Sequence, residues 1–344
     1  MRMKKLMLFA VAALALASCS KTFDTGKSEG SAIGFGTWAE TLTKARAAGA
    51  STFVSGDSFN VEGFKTLAGS PVTVFDDVAV NYDGSKWAYE NTRFWDSNAT
   101  SYTFFAVSSP NTALTFGADG KIAATAVTFA GNNNDILLAN SVEVLPANYK
   151  SDVPVALVFK HIGSLVDLKV KKSAGLNTAG ATVAITAVSL EKIDGAGKVA
   201  VTGYSTNVPT VAWTELDGNT TYTNASGVTP VATLPTNVGT TGDDLINTLV
   251  VIPQTLADTK ILKISYTIKD AANNVNTFTD KEIKLNLFDT TENTTNGSPD
   301  TPISSWEAGK HYVYTLTIDA NTINFTGSIT DWDTAINGYN YLVQ

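Results

Sequence analysis

The feature that most narrows the fold is a period-two alternation of apolar side chains that recurs along most of the chain. Ile264, Tyr266 and Ile268 alternate with Ser265 and Thr267, and Val166, Leu168 and Val170 alternate with Asp167 and Lys169. Tyr312, Tyr314, Leu316 and Ile318 alternate with His311, Thr315 and Thr317, with Val313 as the exception. Successive strand side chains point to opposite faces, so each run reads as a half-buried strand. Tyr102 to Val107 and Val153 to Phe159 are apolar at both phases, as strands in a sandwich core are. Asp83-Gly84, Asp119-Gly120, Asp217-Gly218, Asn296-Gly297 and Asn337-Gly338 separate the runs with turn chemistry. Charged residues are only 16% of the chain, which leaves little material for long surface helices. Ala39 to Ala50 alone is helix-prone. The expected class is all-β, with antiparallel β-sandwiches. The length of 344 residues suits about two domains. A break at Asn148 to Asp152 follows the polar stretch Gly131 to Asp135 and divides the sandwiches into 32–150 and 151–344.

The N-terminus reads as an export address. Arg2, Lys4 and Lys5 precede the apolar run Leu6 to Ala17, which is shorter than the roughly 20 residues of a membrane span. Leu16-Ala17-Ser18-Cys19 resembles a bacterial lipobox, and Cys19 is the only cysteine. The resemblance implies removal of residues 1–18, a lipid on the Cys19 sulfur and attachment to the outer membrane. Residues 19–31 then form a tether rich in Ser, Gly, Lys and Thr. Removing the three cations takes the formal charge from -8 to -11 and leaves no thiol for an intrachain disulfide.

Several chemistries find no support in the residues. There is no basic block beyond the first five residues, so nucleic acid is not an expected partner. Gly26-Lys27-Ser28-Glu29-Gly30 has the letters of a nucleophile elbow but lies in the tether, without the strand and helix an elbow needs. His161 and His311, the only histidines, lie in strand patterns, where a satisfied structural role is the plain reading. With Cys19 lipidated, zinc has no ligand set. Asp76-Asp77 and Asn132 to Asp135 lack the spacing of a calcium loop. No catalytic constellation, metal site or cofactor is expected, and the chain reads as a non-enzyme.

An ordered set of motifs resembles the fimbrillin family of Bacteroidia, the lipoprotein-derived pilins. It runs through Ala32-Ile33-Gly34-Phe35-Gly36-Thr37, then Thr43-Lys44-Ala45-Arg46-Ala47, Trp87-Ala88-Tyr89, Phe94-Trp95 and Tyr102 to Ala106. It continues through Val158-Phe159-Lys160-His161, Val251-Ile252-Pro253-Gln254-Thr255, Trp306 to Leu316 and Ile329-Thr330-Asp331-Trp332. The resemblance implies two tandem transthyretin-like β-sandwich domains. It implies a first strand at 32–38, carrying Ile33 and Phe35, and a processing loop at 39–50. An arginine-specific surface protease would cut between Arg46 and Ala47, with Lys44 as the lesser alternative. The first strand would then leave, and a strand from another fimbrial subunit, identical or paralogous, would fill the groove. An unpaired strand edge above an apolar trench recruits such a strand.

The tail 333–344 offers a donor. Tyr339, Tyr341 and Val343 alternate along it, and Asn337-Gly338 supplies a bend. The implied role is a stalk or tip subunit of a cell-surface fimbrium that supports adhesion. The alternatives are an anchor subunit that keeps its lipid, or a glycan-binding surface lipoprotein, for which the six tryptophans are the argument. Asp289-Thr290-Thr291 and Asp333-Thr334-Ala335 resemble bacterial O-glycosylation sites.

Overall fold

The double-phase apolar run at Tyr102 to Val107 finds its reason in the architecture, because its strand lies in a sheet covered on both faces. In the computed structural model this sheet runs, in spatial order, through Phe159–His161, Leu137–Ala139, Ser101–Ser108, Ser58–Leu67, Ser70–Tyr82 and Trp87–Ala88, with Val142–Val144 also paired to Ser101–Ser108. The structure describes residues 30–37, 53–117, 119–129, 135–223, 234–286 and 303–332. One face of the sheet presents Phe59, Val61, Tyr102, Phe104 and Ala106 to a core closed by Ile33, Phe35, Trp95, Val155 and Leu157. The opposite face presents Phe64, Phe105, Val107 and Leu138 to a second core.

That second core is closed by a three-stranded sheet, Val208–Thr214, Ala196–Ser205 and Ile122–Thr128, which contributes Ile122, Val127, Val199 and Val201. Gly120, at φ +74, sits so close beneath the Phe105 ring that a Cβ would stand 2.3 Å from it. Only glycine satisfies both the turn and the approach.

The rest of the chain forms two four-stranded sheets. One is ordered Asp243–Val251, Ser164–Lys172, Lys310–Ile318, Ile323–Asp331. The other is ordered Thr220–Thr223, Thr182–Ile193, Ile261–Lys269, Val275–Lys284. Their inward side chains, among them Val166, Leu168, Val170, Ile264, Ile268, Tyr312, Tyr314 and Leu316, build one large core. These are the residues the alternation assigned to it. The class is all-β, as expected.

The division at 150/151 needs correction. The Phe35–Thr37 strand pairs in parallel with Val155–Leu157, Phe159–His161 pairs with Leu137–Ala139, and Ile122–Thr128 pairs with Ala196–Ser205. All three pairings cross that point. The polar stretch that suggested it marks a loop, whereas the backbone hydrogen bonds of both sides continue past it.

Buried polar groups are paired. His161 Nδ1 lies 2.8 Å from Asp135 Oδ1, and His311 Nε2 lies 2.9 Å from Asp167 Oδ2. Lys260 Nζ donates to Asp194 Oδ2 and Gln254 Oε1, both at 2.8 Å, and to the Lys192 carbonyl at 3.2 Å. Glu62, on the double-covered sheet, is 3% exposed and accepts the Asp77 amide at 3.0 Å. Burial pushes its carboxyl up to about 7, with repulsion from Asp76 and Asp77 adding to the rise and the Asp77 amide opposing it.

Candidate functional site

The site with the clearest chemistry is the seat of the first strand. Ile33 and Phe35 are 2% and 6% exposed. Their period-two spacing turns both inward, and Gly34 between them faces open space. Phe35 meets four rings edge-on: Phe75 at 5.2 Å, Tyr89 and Phe104 at 5.7 Å, and Phe59 at 6.3 Å between centroids. Edge-to-face geometry suits the aromatic quadrupoles.

The backbone of this segment is held by two different neighbours. Around Ala32 it runs antiparallel to Phe94, with the Ile33 amide donating to the Arg93 carbonyl at 2.8 Å and the Trp95 amide donating to the Ser31 carbonyl at 2.9 Å. From Phe35 onward it runs parallel to Val155–Leu157, and the Val155 amide donates to the Gly34 carbonyl at 2.8 Å. The Tyr89 hydroxyl donates to the Ile33 carbonyl at 2.7 Å. Burial pushes the Tyr89 phenol up, so it remains a donor at neutral pH. Arg93 braces the wall, with its Nε on the Val74 carbonyl at 2.7 Å and its guanidinium 4.8 Å from the Phe75 ring centre. Gly36 passes Pro154 closely, and a Cβ there would stand 3.0 Å from the proline Cγ.

What this seat can do follows from the inventory. Withdrawal of residues 30–37 frees the Arg93 carbonyl, the Trp95 and Val155 amides and the Tyr89 hydroxyl. It also uncovers the faces of Phe59, Phe75, Tyr89 and Phe104. The vacated trench would accept an extended strand with apolar side chains two residues apart.

The other sequence-derived site residues are distributed unevenly. Cys19, Arg46 and Ala47 lie outside the described residues, as do the helix-prone stretch at 39–50 and Tyr339, Tyr341 and Val343 of the tail. Thr37 and Phe53 bracket the stretch that carries Arg46. Sequence reasoning quoted Trp87-Ala88-Tyr89 and Phe94-Trp95 as motifs without giving them work. In the structure Tyr89, Arg93 and Trp95 form the wall that receives the first strand. The signal was present as two aromatic clusters six residues apart, and only the fold shows that they meet Ile33.

Trp332, the last described residue, stacks on His161 with ring centres 3.7 Å apart and planes at 9°. Its amide donates to the Gly309 carbonyl at 2.8 Å.

The sequence profile of the fimbrillin-like family matches residues 43–332. The chain belongs to the fimbrillin-like family. No curated protein matches it. Among solved structures, a fimbrial protein from Bacteroides vulgatus ATCC 8482 is similar at 18% identity and a TM-score of 0.53, over 88% of this chain and 99% of that one. A protein from Bacteroides uniformis ATCC 8492, described as a cell adhesion candidate, is similar at 14% identity and a TM-score of 0.50, over 89% of this chain and 100% of that one. At these identities the two structures corroborate the fold of this fimbrillin-like chain. Its family points to a cell-surface fimbrial protein that associates with other fimbrial subunits and has no catalytic role.

Proposed function

We propose that this fimbrillin-like chain is a structural subunit, stalk or tip, of a cell-surface fimbrium. It is exported as a lipoprotein through Cys19, cut between Arg46 and Ala47 by an arginine-specific surface protease, and polymerised by strand exchange. The observation that carries the reading is the seat of Ile33 and Phe35. The first strand fills an apolar trench, and its backbone is tied to residues 93–95 and 155–157. Its covalent link to the rest of the chain runs through the segment that holds Arg46. A cut there would leave the strand held by non-covalent contacts alone. Its departure would expose an edge suited to another subunit's strand. Tyr339, Tyr341 and Val343 give the tail 333–344 the matching alternation, which makes it the candidate donor.

A glycan-binding role finds less support. Trp95, Trp306 and Trp332 are buried, and Trp87 and Trp213 are half-buried, so the described tryptophans offer no open face for sugar stacking.

The deciding experiment is mass spectrometry of the protein's N-terminus on intact cells. A chain that begins at Ala47 is expected, and Arg46→Gln should abolish it. A chain that begins only at lipidated Cys19 would overturn processing and leave a permanently anchored protein.

A further inference from the structure

Away from the first-strand seat, a cleft of about 520 Å³ opens between the two halves of the molecule. Lys160 and Ile162 line one side, Val208, Pro209 and Val211 the other, and Asp331 lies at its margin. Two of its walls are strands of a particular kind. Phe159–His161 is the last strand of the large sheet, and Val208–Thr214 is the last strand of the three-stranded sheet. An edge strand presents main-chain donors and acceptors to whatever lies beside it. The chain leads into this place. Asp331 is part of the lining, and Trp332 is fixed beside it by its stack on His161.

We propose that in the unassembled subunit residues 333–344 lie in this cleft as an extended strand against one of these edges. This rests on the donor reading of the tail and adds its control, since the donor is held by its own chain until a neighbour's groove takes it. Three observations support the occupant. The tail begins where the cleft is lined, so a short path suffices. Seven residues from Trp332 to Tyr339 span up to about 23 Å extended, enough to turn at Asn337-Gly338 and come back. Tyr339, Tyr341 and Val343 present one bulky face to an apolar lining, the side-chain pattern by which an added strand is specified. Lys160 is exposed and has no carboxylate partner among the described residues, while residues 333–344 carry Asp333 and no cation.

Hydrogen exchange tests this on the full chain with Cys19→Ser, compared with the same chain ending at Trp332. Amides of residues 160–162 and 208–211 are expected to exchange about tenfold more slowly when the tail is present. Tyr341→Asp, which lies beyond the folded core, should abolish that protection with the tail still attached. Equal exchange in the full and shortened chains overturns the proposal. Polymerisation of the shortened chain is scored separately. If it fails to polymerise while exchange at the cleft is unchanged, the docking is refuted and the donor role survives. If it polymerises normally, the donor role is refuted, and the exchange comparison alone decides the docking.

Discussion

Phe35→Ala tests whether the first strand is a structural member of the uncleaved chain. The ring is 6% exposed and meets four aromatic neighbours edge-on. Burying a side chain of this size contributes about 1.5–3 kcal/mol by transfer alone. Edge-to-face partners add about 0.5–1.5 kcal/mol, shared among them rather than summed. Phe75, Tyr89 and Phe104 are anchored on strands or by hydrogen bonds, so the space left by the ring cannot close fully. Together these place the loss in the upper part of the roughly 3–5 kcal/mol seen for buried Phe→Ala. Urea unfolding of the uncleaved chain, followed by near-ultraviolet circular dichroism of the aromatic core, reads the loss as a lower midpoint at unchanged slope. Ile33→Ala should follow with a smaller loss, about 2–4 kcal/mol. A loss below about 1 kcal/mol for Phe35→Ala would refute the reasoning. It would mean that the trench is stable without its first strand and that strand departure creates no demand for a replacement.

Three further outcomes are expected. Glu62 titrates near 7 in the folded chain against about 4.5 in the unfolded one, so stability is greatest below the unfolded value and falls as pH rises through 7. Glu62→Gln should therefore leave stability at pH 4 unchanged and raise it at pH 8 by about 1–3 kcal/mol, as read by denaturant titration at the two pH values. Gly36→Val, forced against Pro154, should cost about 1–3 kcal/mol in the same assay, whereas Gly34→Ala, which meets open space, should cost less than about 1 kcal/mol. Lys260→Met leaves the Asp194 carboxylate without its cation in a site where both side chains are about nine-tenths buried. It should cost about 3–5 kcal/mol, and Lys260→Arg should recover part of that in thermal unfolding.

The strand pattern was legible because alternation is a direct record of burial. Ile264, Tyr266 and Ile268 all face the core, and so do Tyr312, Tyr314, Leu316 and Ile318. Ser265 departs from the pattern for a local reason. It is buried at a bulge opposite Asp280, whose backbone takes φ +46 and whose amide donates to the Ser265 hydroxyl at 2.9 Å. Long-range partners left no trace. Asp135 and His161 lie 26 residues apart, and Asp167 and His311 lie 144 apart, so spacing carries no information about either pair. The domain division failed for the same reason, because which strands cover the outer face of a sheet is decided by topology. At the first-strand seat, Ile33 and Phe35 could be picked out from their two-residue spacing. The Tyr89 hydroxyl on the Ile33 carbonyl could not, since it joins positions 56 residues apart.

The sheet covered on both faces also dictates an order of events during export. The chain emerges N-terminus first, so Phe64, Phe105, Val107 and Leu138 reach water before residues 196–214 exist to cover them. Val250, Ile252 and Trp332 of the same core arrive later still. Until then the N-terminal half carries an open apolar surface, and its sandwich is finished only by material made much later. A truncated or stalled chain would therefore remain sticky and protease-sensitive. The subunit becomes a closed, soluble body only when nearly all of it has crossed the membrane.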